Sequence, residues 1–157
     1  MEFKSRSKQN SEEAIGLQFI KVYNLWHNQI KMTLRQVNLT HPQFIVLTSL
    51  GYLQQTKQEI TQVMVAKISE MDVMTVSQVL QILEKKELIL RQAHSTDTRA
   101  KALSLTEKGS LVMNQALPLV EGVDQEIFGA LSEQQATFNH YLKEIINKHE
   151  KEAKDYD

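Results

Sequence analysis

The sequence predicts a mainly α-helical fold of six helices with one small β-hairpin between the fourth and the fifth, and three observations carry that reading. Apolar residues recur at helical spacing along most of the chain. A turn-rich polar stretch is flanked by two short strand-like runs at residues 88–92 and 100–105, and both prolines, Pro42 and Pro118, fall where helices can start or bend. At 157 residues the chain can bury one substantial core and is too short for two ordinary domains.

Residues 1–12 read as a flexible amino terminus. Residues 13–36 then carry Ile15, Leu17, Phe19, Ile20, Val22, Tyr23, Leu25, Trp26, Ile30, Met32 and Leu34, too many apolar side chains for one narrow stripe. Such a helix is buried on several sides, often against another chain. Thr40 can cap a second helix with Pro42 in its first turn, and Phe44, Leu47, Leu50 and Leu53 give it a core face ending near Gln54 and Gln55. The third helix starts around Ile60 with Thr61 as cap and breaks at Ser69, Glu70 and Met71. The fourth is expected over residues 73–87, burying Val76, Val79, Leu80 and Leu83 and turning Met74, Gln78, Gln81 and Lys85 outward, with Thr75 and Ser77 at the flanks. After the hairpin, Thr106 and Glu107 open a long fifth helix, bent near Pro118. Ser132 caps the last, which runs into frayed residues 151–157.

Composition excludes several function classes. The chain has no cysteine, which removes disulfides, thiolate metal ligands and thiol redox sensing. The first residues lack the apolar core of a secretory leader and no window is long and apolar enough to span a bilayer, so a cytoplasmic protein without membrane contact is expected. A net charge of −1 argues weakly against nucleic acid, but the charge is polarised. Lys4, Arg6 and Lys8 outnumber Glu2, and Arg91, Arg99 and Lys101 outnumber Asp97, while residues 132–157 are acidic. No glycine-rich phosphate loop or nucleophile motif is present, so neither catalysis nor a cofactor is expected.

Two short helices joined by about three residues, with a hairpin directly behind, form a winged helix-turn-helix over residues 39–105. The outward face of its second helix is polar and free of carboxylates, suited to the major groove of double-stranded DNA. There Gln78 and Gln81 can each bond bidentately to adenine, and Thr75, Ser77 and Lys85 can meet phosphates or base edges. Arg99 in the hairpin loop suits the negative potential of the minor groove, with Asp97 placed to orient it, and Arg91 and Lys101 extend the basic strip. Thr40 and Thr61 stand at helix amino termini whose amides can hold phosphates.

Residues 72–109, DVMTVSQVLQILEKKELILRQAHSTDTRAKALSLTEKG, resemble the recognition helix and wing of the MarR (multiple antibiotic resistance regulator) family. The resemblance rests on Thr75-Val76-Ser77, Leu83-Glu84-Lys85-Lys86, Asp97, Arg99 and Leu105-Thr106-Glu107-Lys108-Gly109. Leu39-Thr40 with Gln43-Phe44 and Leu47 adds to it, and the similarity extends over residues 14–148. It implies a homodimer built from residues 13–38 and 106–150, binding a pseudo-palindromic operator, usually as a repressor released by a small ligand. Many members carry arginine where Gln78 stands, glycine where Glu87 stands and a basic residue at Gln92, so modest affinity or an altered operator is expected here.

Three alternatives stay open. The winged helix can serve a protein partner instead of DNA. Tyr23, Trp26, Met32 and Met64 can line a pocket for an apolar or phenolic effector, or simply be core. The five histidines invite a metal reading, but they are scattered, without an i, i+4 pair, so no metal site is assigned.

Overall fold

The computed structural model describes residues 10–56, 58–97 and 99–154. Most of the expected flexible amino terminus, with Lys4, Arg6 and Lys8, therefore lies outside the described residues, as do Thr98 in the wing and residues 155–157 of the expected frayed end. Six α-helices are described: α1 Ile15–Leu34, α2 His41–Gln54, α3 Gln62–Ser69, α4 Val73–Lys85, α5 Glu107–Phe128 and α6 Gln135–Lys154. Strands β1 Ile89–Ala93 and β2 Lys101–Leu105 lie between α4 and α5. No described helix is long and apolar enough to cross a membrane.

The chain divides into two compact units, the first ending at Glu121 and the second starting at Gly122, so α5 begins in one and ends in the other. The first unit holds the winged helix-turn-helix. Its core is aliphatic: Ile30 and Leu34 of α1, Val46, Leu47 and Leu50 of α2, Val65 of α3, Val76, Leu80 and Leu83 of α4 and Ile89 of β1 are all sealed from solvent. In the second unit Phe128 and Phe138 stack at 6.2 Å between ring centres across the segment that joins α5 to α6.

Local chemistry fixes the helix ends. Thr40 and Gln43 form a reciprocal capping box at the start of α2, with Pro42 in the first turn, and Thr61 accepts the Met64 amide at 3.4 Å to cap α3. Ile60 is not helical: it bridges to Leu103, whose amide bonds the Ile60 carbonyl at 2.8 Å and lays the segment before α3 along β2. α4 stops at Lys85, two residues short of the expected end. Glu87 adopts a left-handed φ of 61°, the Leu88 amide reaches back to the Leu83 carbonyl, and the Glu87 amide to that of Glu84. This paired closure satisfies the last carbonyls and turns the chain into β1. Asn38 closes the short 3-10 turn Arg35–Val37 that follows α1 in the same way, at φ 55°. Ser132, expected to cap α6, instead marks a sharp break at φ 48° and ψ −125°, with its backbone carbonyl accepting the Gln135 amide.

The hairpin is antiparallel and in register from Ile89 opposite Leu105 to Ala93 opposite Lys101, one residue later at each start than expected. It leads directly into α5, where Thr106 does two jobs. Its hydroxyl donates to the Glu87 carbonyl at 2.7 Å and accepts the Gly109 amide at 2.9 Å. Gly109 itself is held against Leu88, just before β1, so closely that a Cβ there would lie 1.9 Å from the Leu88 carbonyl oxygen, which only glycine permits.

Candidate nucleic-acid interface

The apolar positions of α4 are buried, which turns its opposite face out of the fold. Met74 is 74% exposed, and Gln78, Gln81 and Lys85 are exposed beside it, while Thr75 and Ser77 are half-buried at the flanks. Asp72 caps this helix, a role sequence reading left unassigned although an aspartate three residues before Thr75 is the usual signal. Its carboxylate accepts the Thr75 amide at 2.8 Å and the Thr75 hydroxyl at 2.5 Å. Those bonds, the hydroxyl's first, hold the Asp72 carboxyl below its ordinary value.

Three contacts set the position of α4. The Gln62 side-chain amide donates to the Val73 carbonyl at 3.1 Å and ties the first turn to α3. At the other end, Lys86 Nζ reaches back to the Asn38 carbonyl at 2.7 Å and to Oε1 of buried Gln43 at 2.9 Å, fastening the end of α4 to the junction of α1 and α2. The third contact comes from Arg91, counted above with the basic strip of the hairpin. Its Nε lies 3.2 Å from Glu84 Oε2, an ion pair without hydrogen-bond alignment, and its guanidinium reaches the Ser77 carbonyl at 3.5 Å. With its side chain 19% exposed and its charge compensated, Arg91 braces α4 against β1 and does not stand free.

In the wing, Arg99 and Lys101 are exposed. Asp97 does not hold the Arg99 guanidinium as expected; its carboxylate accepts the Arg99 backbone amide at 2.9 Å and shapes the turn itself. The rest of the tip is organised by two residues that sequence reading passed over. His94 Nδ1 accepts the amides of Thr96 and Asp97 at 3.3 and 3.2 Å, and its Nε2 lies 3.6 Å from Glu59. Glu59, from the loop before α3, also accepts the Ser95 amide at 3.2 Å and the Ser95 hydroxyl. The hydroxyl bond first, with the amide and His94 behind it, keeps the Glu59 carboxyl below its ordinary value against the opposing effect of desolvation. No local pattern links residues 59 and 95, so this anchor was invisible before folding.

Thr40 and Thr61 both cap helices of the first unit, Thr40 exposed and Thr61 half-buried. The four residues suggested for an effector pocket are only partly brought together. Tyr23 and Trp26 lie 6.2 Å apart and join His27 and His41 in one ring cluster, with the two imidazoles at 5.2 Å. Met32 is nine residues beyond Tyr23, about 180° round α1, and 68% exposed, so the two cannot line one pocket within a chain. Met64 is half-buried on α3. A shallow cavity of about 190 Å³ lies elsewhere, lined by Thr48, Gly51, Tyr52, Gln55, Met113, Asn114 and Leu117. Among the described residues no three His, Cys, Asp or Glu side chains gather as a metal site.

A helix-turn-helix with its outward face clear, a hairpin wing behind it and long helices on either side define a winged helix-turn-helix transcription regulator. Residues 35–123 match the family model described as the ArnR1-like winged-helix domain. The chain is 38% identical over 125 residues to the uncharacterized HTH-type transcriptional regulator YdcH of Bacillus subtilis, covering 80% of this chain and 84% of that one. The fold matches a mutant MarR from E. coli complexed with operator DNA, at TM-score 0.74 and 24% identity over 85% of this chain and 94% of that one. It also matches Bordetella bronchiseptica BpsR, whose structure concerns regulation of DNA binding by 6-hydroxynicotinic acid, at TM-score 0.75 and 23% identity over 93% and 98%. The chain belongs to the ArnR1-like winged-helix family and is a transcription regulator with the fold of MarR.

Proposed function

We propose that the protein is a homodimeric, cytoplasmic repressor that reads a pseudo-palindromic operator with α4 and the wing. The observation that carries this is the outward face of α4, where Gln78, Gln81 and Lys85 are exposed on a helix fixed at both ends, beside a wing that exposes Arg99 and Lys101. The two glutamines read adenine edges, Lys85 and Lys101 meet phosphates with the amino termini capped by Thr40 and Thr61, and Arg99 enters the minor groove. Arg91 contributes by holding α4 in place.

Dimerisation is assigned to residues 13–38 and 106–150. In support, Ile15, Phe19, Ile20 and Leu25 of α1 are at least half exposed in the single chain, as are Tyr141, Ile145 and Ile146 of α6. Exposed apolar surface on this scale marks an association face. Two recognition helices then enter successive major grooves about one helical turn apart, and binding upstream of a gene occludes polymerase. The ring cluster around Tyr23 and Trp26 is the proposed seat of a small apolar or phenolic effector, which would release the operator by favouring a conformation with the wrong spacing. The likeness to BpsR supports that reading.

Selection of bound sequences from a random duplex pool at near-physiological salt tests the proposal. An enriched inverted repeat, relaxed by the double substitution Gln78→Ala, Gln81→Ala and weakened by Arg99→Ala, is expected. No enrichment by the wild type, even at low salt, would overturn it in favour of a protein partner.

A further inference from the structure

The first turn of a recognition helix meets base edges most directly, and in this protein that turn is apolar. Val73 is 47% and Met74 is 74% exposed, with Met74 at the centre of the outward face. Thr75 follows, but its hydroxyl proton is committed to Asp72 Oδ2 at 2.5 Å and its amide to Oδ1 at 2.8 Å. It can no longer donate to a base: its oxygen can only accept, and its methyl is the apolar group it offers there.

The donors that read guanine are arginine and lysine, bonded to O6 and N7. α4 holds one cation, Lys85, in its last turn. The neighbouring cations are occupied: Lys86 by Asn38 and Gln43, and Arg91 by Glu84. What the first turn presents is thioether and methyl surface, and in the major groove the apolar feature of a base pair is the 5-methyl group of thymine.

Resting on the operator-reading proposed above, we infer that Met74 and Thr75 are specificity residues that select thymine through its 5-methyl group. The half-site is accordingly A·T-rich where α4 enters, with thymine methyls against the first turn and adenines against Gln78 and Gln81. Removing one contacted methyl weakens binding about fourfold, the transfer value of one buried methyl group. Removing it from both half-sites weakens binding about fifteenfold.

The experiment uses the full-length protein and the duplex recovered from the random pool, remade with dU in place of dT one position at a time. The expected result is about a fourfold loss at one or two positions per half-site. Met74→Ala should abolish the dT-over-dU preference at one of them, weakening the dT duplex and leaving the dU duplex unchanged. Thr75→Ser, which keeps the hydroxyl bonded to Asp72 but lacks the methyl, should abolish it at the neighbouring position, and Thr75→Val should retain it. Thermal melting of each variant separates loss of fold from loss of reading. Equal affinity for dT and dU duplexes at every position, or enrichment of G·C pairs under the first turn, would overturn this inference and leave the regulator reading standing. DNA binding untouched by Met74→Ala would also overturn it and assign the apolar tip to a protein contact. Failure to enrich any duplex would overturn the operator reading and this inference together.

Discussion

Replacing Lys86 by methionine keeps the aliphatic stem and removes the ammonium that joins the end of α4 to the junction of α1 and α2. Two charge-assisted hydrogen bonds disappear, to the Asn38 carbonyl at 2.7 Å and to Gln43 Oε1 at 2.9 Å. Bonds to a charged partner contribute about 1.5–3 kcal/mol each, but the two carbonyls lose unequally. The Asn38 carbonyl is on the exposed side and rehydrates, whereas Gln43 is 6% exposed and keeps only the Thr40 amide at 3.3 Å. The expected net loss is about 2 kcal/mol, which lowers the melting temperature by about 4–8 °C for a chain of this size. Urea denaturation measures it directly, with Lys85→Met as the control: that neighbour is exposed on α4, and its change should stay within about 0.5 kcal/mol. Adding Gln43→Met to Lys86→Met should cost less than the sum of the two, with a coupling of about 1 kcal/mol or more. Equal stability of Lys86→Met and Lys85→Met, or strict additivity of the double variant, would refute the strut.

Gly109→Ala should destabilise the fold by more than about 3 kcal/mol, because its Cβ would press into the Leu88 carbonyl, whereas Gly122→Ala, with nothing within 4 Å, should gain up to about 1 kcal/mol of helix propensity; comparative melting distinguishes them. Glu59 has a depressed carboxyl pKa, so its hold on the wing is present above the ordinary carboxylate value and lost as pH falls through the lower folded one. Amide exchange at Ser95 should therefore accelerate on acidification below that range, and Glu59→Gln should show faster exchange already at neutral pH. Phe19→Glu, at a position 59% exposed in the single chain, should convert a dimer to a monomer by light scattering and abolish operator binding; an unchanged mass would move the interface elsewhere.

What the sequence made legible was chemistry carried by near neighbours. Thr40 and Thr61 as helix caps and the buried stripe Val76, Val79, Leu80 and Leu83 follow from residue type and spacing alone, and so does the outward face of α4. Arg91, read as part of the basic strip, also pairs with Glu84, and composition marks its charge but not the acid that waits beside it. Glu59 with Ser95, Lys86 with Gln43 and His27 with His41 bring together residues 36, 43 and 14 positions apart, and only the folded chain makes them neighbours. Asp72 and Glu87 were missed for a different reason: the apolar pattern of α4 marks which residues are buried but not where the helix is stopped.

That stop leaves the protein with untapped capacity to change. Glu87 holds a left-handed backbone that costs an ordinary side chain about 1 kcal/mol, and its exposed pairing with Lys108 at 3.3 Å returns little of it. A glutamate codon becomes a glycine codon by one base change, so the lineage stands a single mutational step from a firmer scaffold. Alterations on the reading face of α4 that erode stability can be absorbed by that step, which makes the turn behind the recognition helix a place where new operator preferences become tolerable.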